Sequence, residues 1–240
     1  MLVDKSINLF GEDKNTTIID GEQNGDVVTI TADWINISGF TIRNSGTSHP
    51  WHSGIKIIES SHCVISYNIL AFNAEGIHIG GDFSPIEFNN YNIITKNIFK
   101  YNYHGYGFSG CGINICHSYY TKVFENQIEK NHIGISITYS FFSNISKNNI
   151  ELNSDIGLSI CENAKSSDIN KNNFIGNGKC ATFLRLFLFP PPFHRWSRNY
   201  WDDHNGIGPK MILGRLWYTL SIPWIAFDWN PAKEPYDIDI

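Results

Sequence analysis

Charge is scarce in this chain. Only 17% of its 240 residues are Asp, Glu, Lys or Arg, and the formal net charge is −5. No basic run occurs, so a nucleic-acid surface is not indicated. Disorder is excluded too, because 42% of the residues are hydrophobic. A membrane helix needs roughly 20 consecutive apolar residues, and no stretch reaches that length. The nearest, Phe183 to Phe189, carries Arg185 and runs into Pro190, Pro191 and Pro192. The cysteines Cys63, Cys111, Cys116, Cys161 and Cys180 contain no CxxC pair, so neither a zinc knuckle nor a redox dithiol is indicated. Cys111 and Cys116 are near enough in sequence to pair, but free, semi-buried thiols are the preferred reading. No HxH or HxxxH pair and no acidic cluster suited to calcium occurs, so neither a metal nor a cofactor is expected. The N-terminus, Met1 to Lys5, lacks the apolar segment of a signal peptide.

What is abundant is Asn and Ile, with 27 and 36 copies. AT-rich codons would raise Lys as well, yet Lys has an ordinary share at 13 copies. The Asn positions also repeat. Ile65, Ile94, Val123, Ile145 and Ile169 are each followed three residues later by Asn68, Asn97, Asn126, Asn148 and Asn172. A second Asn follows five residues on, at Asn73, Asn102, Asn131, Asn153 and Asn177. Ile37, Phe40, Ile42 and Ser45 fit the same frame with both Asn replaced. Alternating with this signature is another: Gly54-Ile55-Lys56-Ile57, Gly76-Ile77-His78-Ile79, Gly112-Ile113-Asn114-Ile115, Gly134-Ile135-Ser136-Ile137 and Gly157-Leu158-Ser159-Ile160.

The compact unit is about 22 residues long, within the range of solenoid repeats. Its short alternating runs bounded by Gly and Asn are strand-and-turn chemistry, with no helical period. Short strands that repeat without hairpin turns stack as the coils of an all-β, right-handed parallel β-helix, the hand following the crossover preference of parallel strands. A leucine-rich repeat has a similar length, but its spaced Leu pattern is absent. Ile55, Ile77, Ile113, Ile135 and Leu158 then form an inward column. Lys56, His78, Asn114, Ser136 and Ser159 form the outward one. Asn repeated at one coil position forms a hydrogen-bonded ladder and tolerates the left-handed backbone of a sharp corner.

Coils are expected over residues 1–180, with irregular first coils whose inward candidates are Ile7, Leu9, Ile18, Ile19, Val28 and Ile30. Residues 181–240 abandon the repeat and hold five of the seven Trp. That aromatic, Pro-rich segment is read as a cap over the exposed solenoid end.

The repeat resembles the PbH1 (parallel β-helix) repeats of NosD-like proteins, a group of carbohydrate-binding and sugar-hydrolysing domains. Asp4 to Glu12, Thr17 to Gly21 and Val28 to Asn44 resemble their first coils. Asn199-Tyr200-Trp201-Asp202-Asp203 and Asp228-Trp229-Asn230-Pro231-Ala232 resemble the closing segment of archaeal surface members. The resemblance covers nearly the whole chain and implies an extracytoplasmic or cell-surface protein. Such relatives carry a signal peptide and one more strand before Val3, so a truncated or mis-assigned start is expected. Asn15, Asn36 and Asn144 head triplets that would serve as glycosylation acceptors in an exported chain.

Insertions at residues 46–53, 80–92 and 103–111 break the frame. The first and third fall at one corner, about two strand spacings apart, roughly 10 Å. They flank Glu75, whose own turn is tight. The edge so formed gathers Trp51, His52, Glu75, His78, His104 and Tyr106, the candidate ligand-binding set. Aromatic faces with a few polar groups suit a sugar. Glycosidic hydrolysis needs two carboxylates at a fixed separation. Glu75 and Asp155 lie several coils apart, Asp82 and Glu87 sit on another insertion, and Asp202 and Asp203 are neighbours on extended chain. The expected function is therefore non-catalytic glycan or surface binding, or a structural role. The alternatives are a polysaccharide hydrolase, lyase or epimerase, and a NosD-like copper-handling accessory protein.

Overall fold

The computed structural model describes residues 1–49, 51–80, 89–103, 110–161, 163–185, 194–216 and 222–240. Among these residues every regular element is a β-strand. The strands fall into three long parallel stacks. One contains Ser53–Ile57, Glu75–Ile79, Cys111–Cys116, Ile133–Thr138 and Ile156–Ile160. The next contains Asn36–Ser38, Val64–Ser66, Ile93–Thr95, Lys122–Phe124, Asn144–Ser146 and Asp168–Asn170. The third is an 8-stranded sheet running from Ile18–Asp20 to Tyr200–Trp201. Each strand pairs with its equivalents in the neighbouring coils, as a parallel β-helix requires.

The inward columns are as the alternation dictates. Ile55, Ile77, Ile113, Ile135 and Leu158 lie in register and are fully buried. So is the column Ile37, Ile65, Ile94, Val123, Ile145 and Ile169. On the third face Leu70, Phe99, Ile128, Ile150, Phe174 and Trp201 stack in turn. Each fully buried Ile contributes about 1.5–3 kcal/mol against its exposed state.

Corners hold the coils in register. The backbone N–H of Asn68 donates to Asn97 Oδ1 at 3.0 Å, and its Nδ2 donates to Ile37 O at 2.9 Å. The same bonds recur through Asn97, Asn126, Asn148, Asn172 and Asn199. A second ladder runs through Asn73, Asn102, Asn131, Asn153 and Asn177. The left-handed residue at each corner is not the Asn, contrary to the sequence reading, but the one before it: Tyr67, Lys96, Glu125 and Lys147 have φ of 56, 55, 55 and 52°. The Asn side chain points inward to the ladder, so its neighbour makes the turn. Asn68 and Asn97 are 29 residues apart, whereas Asn126 and Asn148 are 22 apart. Insertions therefore loop out without disturbing the ladder.

The first coils are regular rather than irregular, with Asn8–Phe10 paired to Asn36–Ser38 and Ile18–Asp20 to Thr41–Arg43. Val28 and Ile30 are buried, and Leu9 and Ile19 pack on the core. Ile7 and Ile18 instead face solvent, at 40 and 45% exposure. Neighbours on a strand face opposite ways, so Ile18 and Ile19 cannot both point inward.

Stacking continues beyond residue 180. Arg195–Ser197 and Tyr200–Trp201 pair with the coil before them, and Trp196 and Trp201 are buried in the inward columns. Lys210–Leu216 and Ile222–Asp228 form an antiparallel pair that also adds to the two preceding stacks. The buried Asp228 ends the first ladder: its Oδ2 accepts from Asn199 N at 2.9 Å, Asn199 Nδ2 at 3.0 Å and Trp201 Nε1 at 3.2 Å.

Replacing Asn148 with Ala removes the acceptor for Asn126 N and Nδ2. The orphaned N–H alone costs about 1–3 kcal/mol. Ser146→Ala, on the half-buried outward side of the same turn, should stay within about 0.5 kcal/mol. Urea titrations of both variants check this, and equal losses would refute the ladder's role.

Candidate functional site

Gly76 lies within the strand Glu75–Ile79, where Glu75 lies opposite Ser53 and Ile77 opposite Ile55. A Cβ at Gly76 would lie 2.4 Å from Gly112 O, so only glycine allows the coils to approach. Glu75 Oε2 is 2.7 Å from His78 Nδ1, and Glu75 Oε1 accepts from Asn114 Nδ2 at 3.0 Å. A proton on Nδ1 would complete this bond. Among the described residues His78 Nε2 is buried and has no hydrogen-bond partner.

This pair is closed to solvent, with Glu75 1% and His78 4% exposed. Lys56, beside His78 in the column, is also buried and lies 3.9 Å from Asp26. Ser159 is buried, while Asn114 and Ser136 are half-buried. The outward column is therefore more covered than the alternation suggests. The register nevertheless stands, because the intervening Ile residues fill the core. Lys56 and His78 are buried on the outer side of the sheet.

Of the six residues expected at this edge, His104 and Tyr106 lie outside the described residues, as do Asp82, Glu87 and Phe108. His52, Glu75 and His78 come together on adjacent coils: His52 O accepts from Glu75 N at 3.0 Å. Trp51 is half-buried and meets the edge of His49 at 5.0 Å between centroids. Asp155 is half-buried on a later coil.

All five cysteines are free, so Cys111 and Cys116 are not paired. Burial first, and the Glu75 carboxylate second, push the Cys116 thiol up to about 11. Burial likewise pushes Cys63 up to about 11. Cys180 sits with Asp202 and Asp203 in a grouping of metal-ligand type. Burial and the two carboxylates push its thiol upwards, and Lys210 Nζ holds Asp203 at 2.6 Å.

Sequence reasoning missed a third feature. Trp34, His62, Tyr91, Tyr120 and Phe142 occupy one corner on five successive coils, with φ between 56 and 61°. Their rings stack in that order at 4.1, 5.2, 5.0 and 5.1 Å, with planes within 3–11° of parallel. His62 is half-buried, and the other four are 42–60% exposed. Beside them Tyr119 stacks on Phe141 at 4.8 Å. The signal was present: each ring residue stands three positions before an inward residue, namely Ile37, Ile65, Ile94, Val123 and Ile145. The left-handed backbone does not demand aromatics. Other corners place Lys96, Glu125, Lys147, Lys130 and Leu152 in the same conformation.

Residues 26–185 match the family model described as "Right handed beta helix region". A search of curated proteins found no match.

Glu75→Ala would strand His78 Nδ1 and Asn114 Nδ2 and should cost about 1–3 kcal/mol for each orphaned group. Glu75→Gln keeps an acceptor and should cost less, as chemical denaturation would reveal. The raised thiols predict that Cys63 and Cys116 resist Ellman's reagent at pH 8 in the native chain and react on unfolding. Because their folded values lie above the unfolded ones, the stability they contribute is complete below the unfolded thiol value. It is lost as pH rises through about 11.

Proposed function

This chain belongs to the right-handed β-helix family, and from that premise we propose that it is a non-catalytic, extracytoplasmic glycan- or surface-binding protein. The observation that carries the reading is the aromatic corner. Five exposed or half-buried rings recur once per coil, where the other corners begin with Tyr67 or with Phe72 and Tyr101 and then turn to Lys, Glu or Leu. Rings of this kind offer apolar surface for sugar C–H groups, and their polar tips can meet hydroxyls. The resemblance to NosD-like surface proteins supports the extracytoplasmic location. Hydrolysis of a glycosidic bond asks for an accessible carboxylate pair. Glu75 is instead enclosed and engaged with His78 and Asn114.

One observation favours a second reading. Among the described residues His78 Nε2 is unpartnered, with Glu75 behind Nδ1, the arrangement of an imidazole general base, although the coil surface over this buried pair would have to open to admit a substrate. That would suit a polysaccharide lyase or epimerase, both of which begin by proton abstraction.

A glycan array combined with a degradation assay separates the two. Expected are binding to at least one polysaccharide, no new unsaturated or reducing ends, and a roughly tenfold loss of affinity in Tyr91→Ala/Tyr120→Ala. Release of unsaturated products that His78→Ala abolishes would replace the binding reading with the enzymatic one.

A further inference from the structure

We propose that the aromatic corner receives a neutral, extended polysaccharide laid parallel to the solenoid axis, one sugar to each coil. This rests on the glycan-binding reading above and deepens it by naming the polymer class and its direction.

The first argument is pitch. Successive coils advance by the strand spacing, about 4.8 Å, and the rings from His62 to Phe142 follow it with centroids 5.0–5.2 Å apart. An extended chain of equatorially linked pyranoses advances by nearly the same length per sugar. A chain with an axial linkage curls, and it leaves the row after a sugar or two.

The second argument is ring geometry. Near-parallel rings in contact would be separated by about 3.5–4.0 Å along their normal. Centroids 5.0–5.2 Å apart exceed that, so the rings either slip sideways like shingles or stand apart, and either arrangement leaves part of each ring uncovered by the next. The exposures of 49, 42 and 45% at Tyr91, Tyr120 and Phe142 agree with this. A sugar's C–H face can rest on that open ring surface.

Chemistry supplies the third. The row includes polar tips on consecutive coils: Trp34 Nε1, a His62 ring nitrogen, and the hydroxyls of Tyr91 and Tyr120. A polysaccharide repeats its hydroxyls at the same interval. No Lys, Arg, Asp or Glu lies in the row, which favours a neutral chain over an acidic one. The row also has ends. The equivalent positions before and after it are Ser6 and Ser166, so the contact extends over five coils.

Stacking for stability alone does not account for the pattern. The corner containing Phe72 and Tyr101 has one stacked pair and continues with Lys130 and Leu152.

Isothermal titration with cello- and chito-oligosaccharides of two to eight sugars tests the proposal, with malto-oligosaccharides as the curled control. Expected is a Kd that falls about threefold per added sugar up to five or six sugars and then levels off. Malto-oligosaccharides should bind at least tenfold more weakly at equal length. Tyr91→Ala interrupts the row and should flatten the length dependence, while Tyr91→Phe keeps it. Tyr101→Ala, on the other corner, should change nothing. Circular dichroism and urea midpoints confirm that each variant is folded. If Tyr91→Ala fails to fold, the length series on the native chain still decides. Equal affinity for a disaccharide and a hexasaccharide, or no preference over malto-oligosaccharides, would overturn the proposal. Glycan binding unchanged in folded Tyr91→Ala and Tyr120→Ala would overturn this site while leaving the glycan-binding reading intact. No binding to any glycan on an array would overturn both.

Discussion

A buried backbone N–H at the corner is the constraint on which this solenoid depends. Strand pairing satisfies the groups within each strand, but the inward turn at Asn68, Asn97 or Asn126 aims an N–H along the axis. A buried donor without a partner costs about 1–3 kcal/mol, and the corner recurs in every coil. The Asn amide resolves this because it accepts an N–H from the preceding coil, donates to a backbone carbonyl of that same coil, and donates to the amide oxygen of the next. Once that bond sets the coil spacing, the Ile columns fall into register. The insertions are then free to vary in length, as the change from 29 to 22 residues between ladder positions illustrates.

The same regularity governs what could be read from the sequence. Inward columns and ladders were legible because Ile and Asn recur at fixed intervals, and each has one physical role at its position. The site was less legible. Alternation assigns Lys56 and His78 to the outside of a strand, but it is silent on what packs there. Their burial and the Glu75–His78 contact depend on the close approach of coils at Gly76 and on tertiary surroundings. The aromatic corner was written plainly in the repeat. It was overlooked because its members differ in type: one Trp, one His, two Tyr and one Phe share a position rather than an identity. Ile7 and Ile18 mark the opposite error, in which hydrophobicity was taken as burial at the first coils.

Two faces of the rod thus contrast. On one, ionisable groups are drawn together and shut away, so that Glu75 and His78 satisfy each other. On the other, aromatic rings stand in the open, each on a residue whose backbone N–H bonds a carbonyl of the next coil. A surface held by those bonds below it and ring stacking along it loses little freedom when a ligand settles on it. That separation makes recognition along the rod a more natural use of this architecture than chemistry at one point.

Asp228 gives the ladder a direction. Along the row each Asn backbone N–H and Nδ2 donates to the oxygen of the following coil, and Asp228 accepts with a side chain that has no amide N–H to pass on. A coil inserted anywhere between Asn68 and Asn199 inherits both a donor below and an acceptor above. A coil appended after Asp228 finds no side-chain amide donor to continue the row. A longer rod that keeps this ladder unbroken therefore takes its new coils before Asp228, which acts as a punctuation mark at the end of the row.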